Sequence, residues 1–173
     1  MDSREEGLGL ISMRSLRVLV LLHPFFQPPE KASHKEAQWA LWKTEYHILK
    51  SLHRLGHDVQ TLALTQSFAA LEQALETFQP HIVFNLLEEF QGEPERVGHL
   101  LNYLELKNQA YTGCHGRGLN FGQDKVLVKK ILRQEGIPTP DFFVVPCGQK
   151  PKQSSLAFPL FVKSPVEEAS LGI

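Results

Sequence analysis

Strand–helix alternation predicts an α/β fold: a parallel, doubly wound sheet over residues 16–118, then the truncated start of a smaller α+β domain over 119–173. Three observations carry this expectation. Leu16 to Leu22 (LRVLVLL) is an apolar run broken only by Arg17, the pattern of a strand buried on both faces of a parallel sheet. Asp58 to Leu64 (DVQTLAL) and His81 to Leu87 (HIVFNLL) are two further runs of strand length. Helical periodicity fills the intervals between them.

The elements follow in order. Residues 1–15 (MDSREEGLGLISMRS) show no periodicity and form a disordered leader, with Met13 a candidate start; acidic residues stand where a signal peptide is basic. His23 to Ser33 is a loop holding Pro24, Pro28 and Pro29. From Glu36 to Leu55, Trp39, Trp42, Tyr46, Leu49, Leu52 and Leu55 recur at three- and four-residue steps, which predicts one long amphipathic helix capped by Gly56. Ser67 sits at the N-cap of a helix from Phe68 to Phe78, and Pro80 stops it. A helix over 94–106 begins with Pro94, and Gln109 to Thr112 is a fourth strand-like piece closed by Gly113.

In the second region Asp124 to Gln134 reads as a helix ended by Gly136. Ile137-Pro138-Thr139-Pro140 is a stiff extended linker. Strands are expected at Asp141–Val145 and Phe158–Val162, on either side of a polar loop. The loop over 167–172 has the small and polar residues of one that folds over a ligand, and a chain stopping at Ile173 just after it reads as a truncated gene product.

The bulk values are those of a globular protein: 42% apolar, 21% charged and a net charge of -1 over 173 residues. So small a charge gives no electrostatic reason to expect nucleic acid or an anionic membrane as partner. Cys114 and Cys147 are too few for a disulfide framework and lack metal-ligand spacing. A cytoplasmic protein is the expectation.

In an open parallel sheet, ligands sit beyond the carboxyl ends of the strands. Three loops meet there: 23–33, 88–93 and 112–118. The third, TGCHGRG, lacks the fingerprint a dinucleotide fold needs, and a tight turn explains its glycines as well as a site does. Glu88, Glu89 and Glu93 suit a substrate ammonium group, but equally a solvated helix start favoured by the macrodipole. His23 and His34 flank the proline-rich loop without a catalytic pattern, and no nucleophile elbow or paired-histidine helix is present. Lys125 starts a helix and Lys163 ends an expected strand. Together they suit a polyphosphate, although each taken singly reads as a surface lysine.

The succession VFNLLEEFQGE, LNYLELKNQAYTG, DKVLVKKILRQEGIPTPDFFVV and FPLFVKSPVEEASLGI resembles the ATP-grasp superfamily, specifically the D-alanine–D-alanine ligases and their relatives. The resemblance implies a pre-ATP-grasp α/β domain over 16–118 and the start of an ATP-grasp domain over 119–173. It implies ATP as cofactor, contacted by Lys125 and Lys163 and by the loop residues Glu167, Ser170 and Gly172. It also implies Mg²⁺, whose ligands are expected beyond Ile173. The activity implied is a carboxylate–amine ligation through an acyl phosphate, with D-alanine, another amino acid or a peptide as small-molecule substrate; a homodimer is among the expectations. A non-catalytic nucleotide- or peptide-binding module and an inactive fragment are the alternatives. The sequence departs from the ligases in three places. Their glycine-rich loop with its glutamate is HPFFQPPEKASHKE here. Their histidine-glycine step is Glu88-Glu89, and their glycine-serine-serine is Glu168-Ala169-Ser170.

Overall fold

The computed structural model describes residues 14–64, 66–151 and 156–166. The described residues divide into two compact units between Gly113 and Cys114.

The first unit is an α/β fold on a three-stranded parallel sheet. Its strands β1 (Arg17–Leu22), β2 (Asp58–Ala63) and β3 (Ile82–Asn85) stand in the order β2-β1-β3. Strand β1 pairs with both neighbours, Val20 opposite Thr61 on one side and Phe84 on the other. This central place explains its composition: Val18 to Leu22 are buried, and neither face needs polar residues. On one face Val18, Val20 and Leu22 pack with Leu49, Leu52, Val59, Ile82 and Phe84. The expected fourth strand survives as a single parallel bridge, Val83 to Tyr111, with Val83 N–H donating to Ala110 O at 2.8 Å and Thr112 N–H to Val83 O at 2.9 Å.

Arg17, the one charge in the β1 run, has a structural task. Its Nε donates to Phe78 O at 3.0 Å and to Gln79 O at 2.8 Å, satisfying carbonyls that the end of helix α3 (Phe68–Phe78) leaves open. That helix starts where the sequence predicts, with Ser67 Oγ accepting from Ala69 N–H at 3.2 Å. Gln79 ends it in the left-handed region, before Pro80.

The long helix expected over 36–55 is two helices. Helix α1 (His34–Ala37) is a single turn fixed by a capping box, in which Ser33 Oγ accepts from Glu36 N–H and Glu36 Oε2 accepts from Ser33 N–H. Residues 38–42 then tighten into turns with i to i−3 bonds, Ala40 N–H to Ala37 O and Lys43 N–H to Ala40 O. Helix α2 (Lys43–Arg54) follows. The turns take Trp39 off the packed stripe and leave it 87% exposed.

Helix α4 (Arg96–Leu106) begins two residues after Pro94 and buries Val97, Leu100, Leu101 and Leu104. The acidic stretch before it is not a helix start: Glu93 pairs back to Phe90 through two 3.2 Å backbone bonds, closing a tight turn at Gln91 and Gly92. Both turn residues have positive φ, 58° and 75°, a geometry in which glycine carries no Cβ penalty. Buried Phe90 anchors the turn with its ring 5.1 Å from that of Phe68.

The second unit is mainly helical. Helix α5 (Gly116–Gln123) begins inside the loop expected over 112–118, and Gly116 is buried within its first turn. Helix α6 (Lys125–Gln134) follows and ends before Gly136 as expected. The proline linker is fastened to α6: Lys129 Nζ donates to Thr139 Oγ1 at 2.8 Å and Pro140 O at 2.9 Å, and Arg133 pairs with Asp141 at 2.6 Å. Phe142 lies between the two cations, 5.3 Å from Lys129 Nζ and 5.0 Å from the Arg133 guanidinium.

The strands expected at Asp141–Val145 and Phe158–Val162 are absent, and both stretches are extended or bent without ladder partners. The physical reason is that a strand is a paired object. An apolar run supplies side chains for a core, but no neighbouring strand takes its N–H and C=O groups among the described residues. Phe158, Phe161 and Val162 are accordingly 87%, 91% and 79% exposed.

Candidate functional site

The acidic residues of the first unit gather where β1 and β3 end. Immediately after β1, His23 Nδ1 accepts from Phe25 N–H at 3.2 Å, capping a short 3-10 turn over Pro24–Phe26. That bond leaves Nε2 to carry the ring proton, and Nε2 lies 3.5 Å from Glu89 Oε1. After β3, Asn85 folds its side-chain oxygen onto Leu87 N–H at 3.2 Å and gives its own N–H to Thr112 Oγ1 at 3.0 Å. These local bonds, with the turn at Gln91-Gly92, fix the stretch that presents Glu88 and Glu89.

Glu45, a residue not singled out from the sequence, belongs to the same end. Helix α2 runs back along the sheet, its last turn lying near the start of β1, where Ser15 Oγ donates to Gly56 O at 2.7 Å. Its first turn therefore stands at the carboxyl end of β1. Glu45 is 8% exposed, and its Oε2 has no hydrogen-bond partner among the described residues. Burial pushes its carboxyl above the usual carboxylate range, and the negative charge of Glu88 adds to the rise, while its own backbone N–H works against it. A signal was available: Glu45 lies three residues after Trp42 and four before Leu49, inside the apolar stripe rather than opposite it.

Beside this group, rings from two helices converge. His34 of α1 stands 5.2 Å from His47 of α2, edge to face, and Tyr46 is 5.3 Å from His47. These contacts hold the short α1 against α2.

In the second unit, Asp124 makes the start of α6. Its Oδ1 accepts from Val126 N–H at 3.0 Å and Leu127 N–H at 2.9 Å, which places Lys125 at the first helical position. The Lys125 N–H donates to Pro165 O at 3.0 Å, so the segment carrying Lys163 runs past the first turn of α6. Lys125 is half-buried, whereas Lys163 is exposed and lies on a bent segment, not at the end of a strand. Glu167, Ser170 and Gly172 lie outside the described residues. Among the described residues no group of three or more His, Cys, Asp or Glu side chains could hold a metal ion. Nor is any helix there long and apolar enough to cross a membrane.

No protein-family model matches the chain. It is 31% identical to an uncharacterized protein, y4sG, of Sinorhizobium fredii, over 87% of this chain and 44% of the relative. It is also 31% identical to a D-alanine–D-alanine ligase of Moorella thermoacetica, over 72% of this chain and 41% of that enzyme. The chain thus spans less than half the length of these relatives. Two solved structures of a D-alanine–D-alanine ligase from Bacillus anthracis share the fold. One, complexed with ATP, superposes with a TM-score of 0.55 over 82% of this chain and 43% of its own, at 20% identity. The other has a TM-score of 0.52 over 73% and 37%, at 23% identity.

Proposed function

For this chain, a D-alanine–D-alanine ligase-like N-terminal region, we propose the role of first part of an ATP-dependent carboxylate–amine ligase working in the cytoplasm. In such a reaction ATP phosphorylates a carboxylate, and an amine displaces phosphate from the acyl phosphate. The α/β unit is read as the pre-ATP-grasp domain and the helical unit as the beginning of the ATP-grasp domain, with an amino acid or peptide as substrate.

The observation that carries this reading is the start of α6. Asp124 caps that helix, Lys125 stands at its first position, and the bond from Lys125 N–H to Pro165 O brings the segment that carries Lys163 alongside the same turn. In this reading the Lys125 and Lys163 ammonium groups neutralise phosphoryl oxygens and hold them in position, which is where most of the catalysis of phosphoryl transfer lies. Among the described residues no cluster of acidic groups makes a magnesium site.

Titration of the full-length protein with ATP, followed by calorimetry, tests the reading. Lys163→Ala removes a charge-assisted contact of about 1.5–3 kcal/mol and is expected to weaken ATP binding roughly ten- to a hundredfold. The fold is expected to be unchanged, because the exposed side chain fills no core. Equal affinity for a folded Lys163→Ala and the parent refutes the phosphate role.

A further inference from the structure

We infer that an acid-sensitive clasp fastens the amino-terminal end of the sheet, in which His57 and His81 hold the start of the central strand only while their imidazoles are neutral. Each histidine immediately precedes a strand, His57 before β2 and His81 before β3. Leu16 turns its backbone toward β2, its carbonyl accepting from Asp58 N–H at 2.8 Å, and Arg17 turns toward β3, its carbonyl accepting from His81 N–H at 2.8 Å. A regular parallel ladder would give the two N–H groups to carbonyls of the same neighbours. The carbonyls at this end are engaged elsewhere. Gly56 O accepts from Ser15 Oγ at 2.7 Å, Gln79 O from Arg17 Nε at 2.8 Å and Pro80 O from Gln109 Nε2 at 3.2 Å. Imidazoles take their place: Leu16 N–H donates to His57 Nδ1 at 3.4 Å, and Arg17 N–H to His81 Nδ1 at 2.8 Å.

Only a neutral ring can do this. An Nδ1 that accepts from a backbone N–H keeps the ring proton on Nε2, and a second proton turns the acceptor into a donor facing a donor. The bonds therefore belong to the neutral rings and are lost as pH falls through the range in which histidine takes up charge, about pH 8 to 5. Arg14 and Arg17 on the β1 segment, His53 and Arg54 in the last turn of α2, Asp58 at the head of β2 and Glu76 near the end of α3 are the charged groups of the elements that meet here. Lys107, after α4, is paired with Glu72. Neither His57 nor His81 forms an ion pair among the described residues, so a protonated ring gains no partner to offset the lost bond. His81 is exposed and His57 half-buried, which leaves a charged ring free to reach water. The effect is local, because Val18 to Leu22 stay buried whatever the rings do.

The test uses the full chain labelled with nitrogen-15, at about pH 8 and about pH 5. At the higher pH the His81 ring is expected to carry its proton on Nε2 and to show a scalar coupling between Nδ1 and the Arg17 amide nitrogen, which only an N–H to N hydrogen bond transmits. At the lower pH that coupling is expected to vanish. Exchange of the Arg17 amide, corrected for its intrinsic pH dependence, is then expected to rise roughly two- to tenfold, the size of one net hydrogen bond. Leu16, with the longer bond, should respond less, and Val20 in the middle of β1 not at all. His81→Asn places an amide oxygen where Nδ1 stood, an acceptor that takes up no proton, so Arg17 exchange is expected to lose its dependence on pH while Leu16 keeps its own. A proton on Nδ1 at the higher pH, equal corrected exchange at both pH values in the parent, or the same rise in His81→Asn overturns the inference. Should His81→Asn fail to fold, the coupling and the exchange of the parent decide. No nucleotide enters the measurement, so its outcome is independent of the ligase reading.

Discussion

Asp124 is the best place to test how the start of α6 is held. Its carboxylate accepts two backbone N–H groups, those of Val126 and Leu127, that would otherwise have no intrahelical partner. Replacing such a cap by alanine costs about 0.5–2 kcal/mol, and two well-formed bonds place Asp124→Ala in the upper half of that range. The lost negative charge at the helix N-terminus adds about 0.3–1 kcal/mol. Asn keeps the acceptor but not the charge, so Asp124→Asn should show mainly the smaller effect. Amide hydrogen exchange across α6 separates the two. The Val126 and Leu127 amides are expected to exchange roughly ten- to a hundredfold faster in Asp124→Ala, since the two losses together come to about 1.5–3 kcal/mol. In Asp124→Asn the acceleration should be about two- to fivefold. Amides of β1 should not change in either variant. Equal acceleration in both variants would mean that charge, not the hydrogen bonds, holds the turn. No acceleration in either would remove Asp124 from the account of how Lys125 is placed.

Two further outcomes follow from the first unit. Glu45 has its carboxyl pushed above the usual range by burial, so the folded chain keeps a proton that the unfolded chain releases; stability therefore falls as pH rises from the ordinary glutamate range, about 4.3, through the raised folded value. Glu45→Gln should remove that slope, melting above the parent at neutral pH and level with it in acid, and parallel melting curves at all pH values would contradict the assignment. Arg17→Met keeps the length of the side chain but leaves Phe78 and Gln79 carbonyls without their donor, so a loss of about 1–3 kcal/mol is expected in urea unfolding, and an unchanged midpoint would show that water replaces the guanidinium without cost.

The features legible in the sequence were those set by near neighbours. The run from Leu16 to Leu22 could only suit a central strand, Ser67 announced the start of α3, and Asp124 with Gly136 bracketed α6. What escaped depends on contacts distant in sequence. The purpose of Arg17 is visible only when the end of α3, some sixty residues later, lies beside it. The apolar stretches around Phe143 and Phe161 read as strands, yet pairing partners rather than composition decide that state. Glu45 could have been found, because a charge within an apolar stripe is an anomaly, but Trp39 drew the helix boundary too early and hid the true register of α2. The lysines were legible as residues, while the bond from Lys125 N–H to Pro165 was not.

The fastening of the 137–142 segment to α6 changes where this chain should be vulnerable. A proline-rich stretch following a helix is an obvious place for a protease to enter, since it has no ladder or helical bonds of its own. Here two cations of α6 grip that stretch at Thr139, Pro140 and Asp141 and close over the ring of Phe142. To be threaded into a protease cleft it would first have to peel off the helix. The exposed residues 143–151 show no comparable grip among the described residues, and a broad-specificity protease should nick there first, leaving the tail of prolines still attached to the amino-terminal product.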